Sequence, residues 1–276
     1  MHRLMPNLVL LAGALFLLPC LAFGQAAKSP EQQDADNVAE LVIANHILAD
    51  QAVVDGFGHI SVRSVAHPDH YFISRSRAPA LVSLDDIMEY DLDDTPIDPR
   101  GRASYLERFI HSEVYKARPD VNSVVHSHSP AVIPFGVTDA PLKPIFHMGG
   151  FLISAVPVFE IRDAGGPDTD MLIRSKPLGA ALAKSLGSNT VVLMRGHGDT
   201  VVGTSIRLAV FHAIYTEQNA RLESEALRLG GNVTFLNEAE ARNIAAQNDK
   251  LVDRPWEIWK AQAQAHAQAT APLPLK

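Results

Sequence analysis

Cysteine occurs once in the 276-residue chain, at Cys20, and it lies inside the N-terminal apolar run "MHRLMPNLVLLAGALFLLPCLAFGQAA". A short basic start at Arg3, an apolar stretch from Leu8 to Phe23 and the small residues that follow are the layout of a secretory signal peptide. Cleavage is expected after Gly24, which leaves a periplasmic or secreted protein with no membrane contact. Two alternatives are an uncleaved anchor helix and lipid attachment at Cys20, a signal that Pro19 fits badly. The mature chain then has no thiol. It has no disulfide to staple it and must fold by burying a core, and any metal must be held by histidine and carboxylate. With 47% hydrophobic and 20% charged residues, the composition is that of an ordinary globular protein. A formal charge of −7 and the lack of a long Lys/Arg run argue against nucleic acid as a partner.

Periodicity alternates between helix and strand. Val38, Leu41, Val42, Asn45 and Leu48 follow helical spacing after a polar lead, and Gly56 and Gly58 end that helix. "HISVRS" and "HYFISRS" read as a hairpin across "VAHPDH", and "DDIMEYDLDDTPIDP" as a further strand and acidic turn. A helix is predicted over "SYLERFIHSEVYKARPD", with Leu106, Phe109, Ile110, Val114 and Ala117 on one face and Pro119 as the stop. "VNSVVHSHS" has the β-branched body of a strand. "SKPLGAALAKSLG" is a short helix, and "TVVLMRGHGDTVVG" a buried strand, a Gly-rich turn and a second strand. A long helix follows over "SIRLAVFHAIYTEQNARLESEALRLGG", then a C-terminal helix fading into an Ala/Gln tail. No repeat or linker divides the chain, so residues 25–276 are read as one α/β domain.

His126 and His128 end the "VNSVVHSHS" strand. Residues i and i+2 of a strand point to one side, so the two imidazoles can converge on a metal ion. Neutral imidazole suits Zn, Fe, Mn, Co and Ni; the competing interpretation is a surface or packed pair. His197 stands between Gly196 and Gly198 after an apolar strand, where glycine lets the backbone turn sharply and bring the ring to a site. A plain loop histidine is the alternative there. Glu107 precedes the H-x-H strand and can serve as a general acid or base, or can be a solvated helix residue paired with Arg108 or His111.

Together, "GHISVR", Glu107, "ARPDVNSVVHSHSP" and "RGHGDTVVG" resemble the class II aldolase/adducin family over roughly residues 38–229. The resemblance implies an α/β/α sandwich around a largely antiparallel sheet, and a homo-oligomer, usually a tetramer. It implies one divalent ion per chain on His126, His128 and His197, zinc ahead of manganese, iron or cobalt, with Glu107 as the acid/base residue. The small-molecule substrate would lose a C–C bond beside a carbonyl polarised by the ion.

The chain departs from the family's sugar-phosphate aldolases. Their G-N-x-S pattern is here Gly58-His59-Ile60-Ser61, the small pair before the glutamate is Tyr105-Leu106, and the Thr-Gly loop is "SRSRAPA". A phosphate cradle is thereby lost. Arg75 and Arg77, flanking Ser76, suit a planar carboxylate, or are solvated strand ends. The "GHISVR…SRSRAPA" variant resembles the branch of hydroxylated aromatic acid decarboxylases. Candidate substrate contacts are His59, Ser61, Arg75, Ser76, Arg77, Tyr105 and His147. The function expected is a metal-dependent lyase, by retro-aldol cleavage or decarboxylation, on a non-phosphorylated hydroxy, oxo or aromatic acid. A non-haem iron oxygenase and a non-catalytic adducin-like module are the competing functions.

Overall fold

Short segments carrying β-branched and aromatic residues become strands, and the computed structural model, which describes residues 27–270, joins seven of them in one sheet. They are β1 (His59–Arg63), β2 (His70–Ser74), β3 (Ile87–Asp91), β4 (Ser123–Ser127), β5 (Val158–Phe159), β6 (Val191–Met194) and β7 (Gly198–Gly203). The order is β3-β2-β1-β4-β7-β6-β5. Every pairing is antiparallel except β5 with β6. The expected signal segment, 1–24, lies outside the described residues.

Neighbouring residues of a strand face opposite ways, and here both faces are buried. Val125, Val191 and Val201 join one core cluster; Val124, Val192 and Val202 join the other. The first cluster is closed by α1 (Pro30–Asp50), α6 (Ile206–Leu229) and α8 (Asp253–Thr270), through Leu41, Leu48, Phe211, Ile214, Trp256 and Trp259. The second is closed by α2 (Phe109–Ala117) and α5 (Lys176–Leu186), through Ile110, Val114, Leu182 and Leu186. The result is a three-layer α/β/α sandwich. Each fully buried Val or Leu side chain contributes about 1.5–3 kcal/mol of transfer free energy. Short helices α3 (Ile133–Gly136) and α4 (Arg162–Gly165) lie in the connections, and α7 (Glu238–Asn248) precedes α8.

Three boundaries differ from the periodicity. The polar lead of the first helix is itself helical from Pro30, because Ser29 and Gln32 form a capping box. Buried Asp34 on that turn accepts from Ser64 Oγ and the Val65 and Ala66 N–H groups, tying α1 to the β1–β2 turn. The helix predicted from Ser104 begins only at Phe109, and residues 106–108 form a turn, so Glu107 precedes the helix. The Ala/Gln stretch continues the helix to Thr270, and α8 is docked by Trp256, Trp259 and Ala263, which are at most 6% exposed. Their i, i+3, i+7 spacing forms one apolar stripe, and alanine there lets the helix lie close. Among the described residues, no helix is long and apolar enough to cross a membrane.

Candidate metal centre

The sheet brings the separated histidines together at one end of its central strands. β4 runs antiparallel to both neighbours, and its His126 stands opposite His59 of β1 and Thr200 of β7. His128 follows one residue beyond β4, on the same side as His126. His197 occupies the tight turn between β6 and β7, where Gly196 takes φ +64°, a value only glycine adopts freely. Glu107 comes from the turn before α2. One ligand atom from each of Glu107, His126, His128 and His197 falls within 4.8 Å of the others.

Hydrogen bonds aim these donors. His126 Nδ1 donates to the Asp199 carbonyl at 2.9 Å, and His197 Nδ1 to the Met171 carbonyl at 2.9 Å. A carbonyl can only accept, so both rings carry a proton on Nδ1 and turn Nε2 toward the cluster. Backbone carbonyls behind the rings are how metal-bound histidines are oriented. His126 Nε2 is buried with no hydrogen-bond partner among the described residues, a costly state for a polar atom in a protein interior unless a ligand fills it. His197 Nε2 and His128 Nε2 stand 2.9 Å apart. Burial, then the neighbouring His126 and His197, lower the His128 pKa to about 4, so this imidazole is neutral at pH 7. Three imidazole nitrogens converging on one point at the edge of a cavity fit a divalent ion with a coordination position left open.

Glu107 closes the cluster. Its Oε1 accepts from the Ile173 N–H at 2.9 Å, and its Oε2 lies 3.5 Å from both His126 Nε2 and His197 Nε2. Burial pushes this carboxyl upward, but the two imidazoles outweigh it and hold it well below the usual carboxylate range. Glu107 is 8% exposed and pairs with neither Arg108 nor His111; the solvated alternative does not describe it.

A cavity of 510 Å³ opens beside the cluster, lined by Glu107, His126 and His128 together with His59, Ser76, Arg77, Tyr105, Phe57, Leu106 and Leu172. Three expected substrate contacts lie elsewhere. Ser61 is fully buried behind His59, bonded to His111 and Tyr115. Arg75 does not line the cavity; its Nε donates to Asp86 Oδ1 at 2.5 Å. His147 is exposed in the 3₁₀ turn His147–Leu152, where its carbonyl accepts from Asn248 Nδ2. Arg77 does reach the cavity, and its Nη1 also contacts Asp86, 3.2 Å from Oδ1. Tyr105 holds that loop, donating to the Arg77 carbonyl at 2.5 Å. Asp199, whose carbonyl orients His126 and whose carboxylate accepts from Ser127 Oγ, and two residues of the apolar wall, Phe57 and Leu172, were not singled out in the sequence; Leu106, expected on a helix face and noted in the Tyr105-Leu106 pair, completes that wall. Its place two residues after His197 is the signal that could have found Asp199; nothing local marks Leu172, which comes from a loop distant in sequence.

Residues 39–224 match the family described as Class II Aldolase and Adducin N-terminal domain. Decarboxylase tropJ of Talaromyces stipitatus is 41% identical over 236 residues, covering 78% of this chain and 89% of that protein. A 3,4-dihydroxyphthalate decarboxylase of Arthrobacter keyseri is 30% identical over 219 residues, covering 74% and 84%. In fold, the chain is similar to the crystal structure of an aldolase II superfamily protein from Pseudomonas syringae, with TM-score 0.70, 21% identity, and 85% and 94% of the two chains covered. These similarities define an enzyme, a carbon–carbon lyase. The chain belongs to the Class II Aldolase and Adducin N-terminal domain family.

Proposed function

We propose that this protein is a divalent-metal-dependent decarboxylase of hydroxylated aromatic acids that carry no phosphate. The observation that carries the proposal is the cavity itself. Phe57, Tyr105, Leu106 and Leu172 form walls for a flat apolar ring, Arg77 offers a cation, and Glu107 stands at the inner end. His126, His128 and His197 would hold the ion, zinc being the first choice for such a donor set. When bound, the ion supplies Lewis acidity toward a substrate oxygen.

Glu107, an ionised carboxylate, takes the proton of a substrate hydroxyl at Oε2. The C–CO₂⁻ bond then breaks, CO₂ departs, and the electron pair remains on the ring. Glu107 returns its proton to that carbon, and the charge stays on the substrate oxygen. Binding the departing carboxylate tightly would oppose its loss, since only interactions stronger in the transition state accelerate a step. Arg77 therefore reads a second anionic group that stays on the ring.

Export of the mature chain from Gln25 is part of the proposal; the N-terminal segment supports it. So is a homotetramer, supported by Phe57 and Leu106, 68% and 59% exposed at the cavity mouth. The test is metal analysis of the purified protein followed by a screen of hydroxylated aromatic acids. CO₂ release without oxygen uptake, abolished by a chelator and restored by one divalent ion, is the expected result. Oxygen consumption matching turnover would instead make the protein an oxygenase. Aldehyde release from a sugar phosphate would return it to the aldolases.

A further inference from the structure

Behind the cavity wall lies a line of buried polar side chains that the proposed chemistry does not use. His59 Nδ1 lies 2.6 Å from His111 Nε2. His111 Nδ1 lies 2.6 Å from Ser61 Oγ, which lies 2.7 Å from the Tyr115 hydroxyl. His111 and Ser61 are fully buried, Tyr115 is 1% exposed and His59 4%. Such groups keep each proton on an acceptor.

That requirement fixes the direction of the whole line. Among the described residues the Tyr115 hydroxyl has one hydrogen-bond partner, Ser61 Oγ, and so one acceptor for its proton. Tyr115 therefore donates to Ser61. The Ser61 proton must then go to His111 Nδ1, the remaining partner of its oxygen. An imidazole accepting at Nδ1 carries its proton at Nε2, so His111 donates from Nε2 to His59 Nδ1. His59 accepts there and carries its own proton on Nε2. That nitrogen has no partner among the described residues, and unlike His126 Nε2 it is not sealed from solvent. His59 lines the cavity beside Glu107. Reversal would leave the Tyr115 proton without an acceptor, and a doubly protonated His111 would do the same to the proton of Ser61.

We infer that His111, backed by Ser61 and Tyr115, is a positioning residue that locks His59 as a neutral Nε2–H donor to a substrate oxygen gaining negative charge. The donor is preorganised, because the protein has already paired the opposite edge of the ring. This inference rests on the lyase reading of the cavity only for the identity of the oxygen; the direction of the line stands without it.

Two measurements test the inference. In ¹⁵N-histidine spectra of the zinc-loaded protein at pH 7, the His59 signals, identified by their absence in His59→Gln, should show a protonated Nε2 and a bare Nδ1. A proton on Nδ1, alone or with Nε2, would overturn the assignment, and no substrate is needed to see it. In kinetics with the aromatic acid turned over, His111→Leu removes the relay and should lower kcat by about 10–100-fold through loss of alignment. His111→Gln, whose amide can accept from Ser61 and donate to His59, should recover to within about 10-fold of the parent. A His111→Leu protein with parental kcat, or a glutamine variant no better than the leucine one, would reduce His111 to packing. Should His111→Leu not fold, the spectrum decides alone. Absence of any turnover beside the expected spectrum would sink the lyase reading and leave the relay intact.

Discussion

Gly198 packs so tightly on β4 that a Cβ placed on it would lie 1.9 Å from the carbonyl oxygen of Ser127. The contact brings the turn that carries His197 against the strand end that carries His126 and His128. Because the obstacle is backbone, no side-chain rotation relieves it. Gly198→Ala should cost at least about 1–3 kcal/mol, the range for overpacking, and should lower bound metal with it. Gly56, with nothing within 4 Å of its Cβ position, is the control: Gly56→Ala should leave thermal stability and metal content close to the parent.

Each imidazole of the cluster supplies one converging nitrogen. His126→Ala, His128→Ala and His197→Ala should each reduce metal retained after dialysis from about one equivalent to a small fraction, while far-ultraviolet circular dichroism stays parental, because the two valine-rich core clusters do not include the cluster. One tightly held equivalent in the triple variant would place the ion elsewhere.

Glu107→Gln preserves the acceptor for the Ile173 N–H and removes the base. Metal content and melting temperature should hold while kcat falls by roughly 10²–10⁴-fold. Turnover within a few-fold of the parent would give the proton step to another group.

The two arginines of "SRSRAPA" should separate. Arg77 lines the cavity, whereas Arg75 is spent on Asp86. A charge-assisted contact is worth about 1.5–3 kcal/mol, so Arg77→Ala should lower kcat/KM for a doubly acidic substrate by roughly 10–150-fold. The loss should shrink for an analogue whose retained acid is an amide. Arg75→Ala should act only by loosening the Asp86 loop, with equal losses on acid and amide.

Glu223 gives a stability prediction away from the site. It is 1% exposed and accepts from the Lys143 N–H at 3.0 Å. Burial pushes its carboxyl up to about 7 from an ordinary 4.5. The folded protein therefore keeps a proton that the unfolded chain releases at lower pH, so this contribution to stability is present below pH 4.5 and lost as pH rises to about 7. Glu223→Gln should raise the melting temperature at pH 8 but not at pH 4, by the equivalent of about 1–3 kcal/mol. Equal melting temperatures of parent and variant across that range would show that Glu223 ionises freely.

The strands and the long helices were legible in the chain because their signals are local. A β-branched run such as "VNSVVH" or a glycine after "ALAKSL" states its conformation within a few residues, and i, i+2 alternation placed His126 and His128 on one side. His197 and Glu107 were assignable only through motif resemblance, since spacing alone cannot say that they meet. The start of α2 after Glu107, the docking of α8 by Trp256, Trp259 and Ala263, and the parting of Arg75 from Arg77 were decided by packing between segments far apart in sequence. So was the burial of Ser61: His59 and Ser61 face the same side of β1 and both meet His111 of α2, but Tyr115 closes over Ser61 while His59 reaches the cavity edge. Alternation fixes which side a residue takes, because it is a property of one strand. What stands on that side is a property of the whole core, and only the assembled sandwich supplies it.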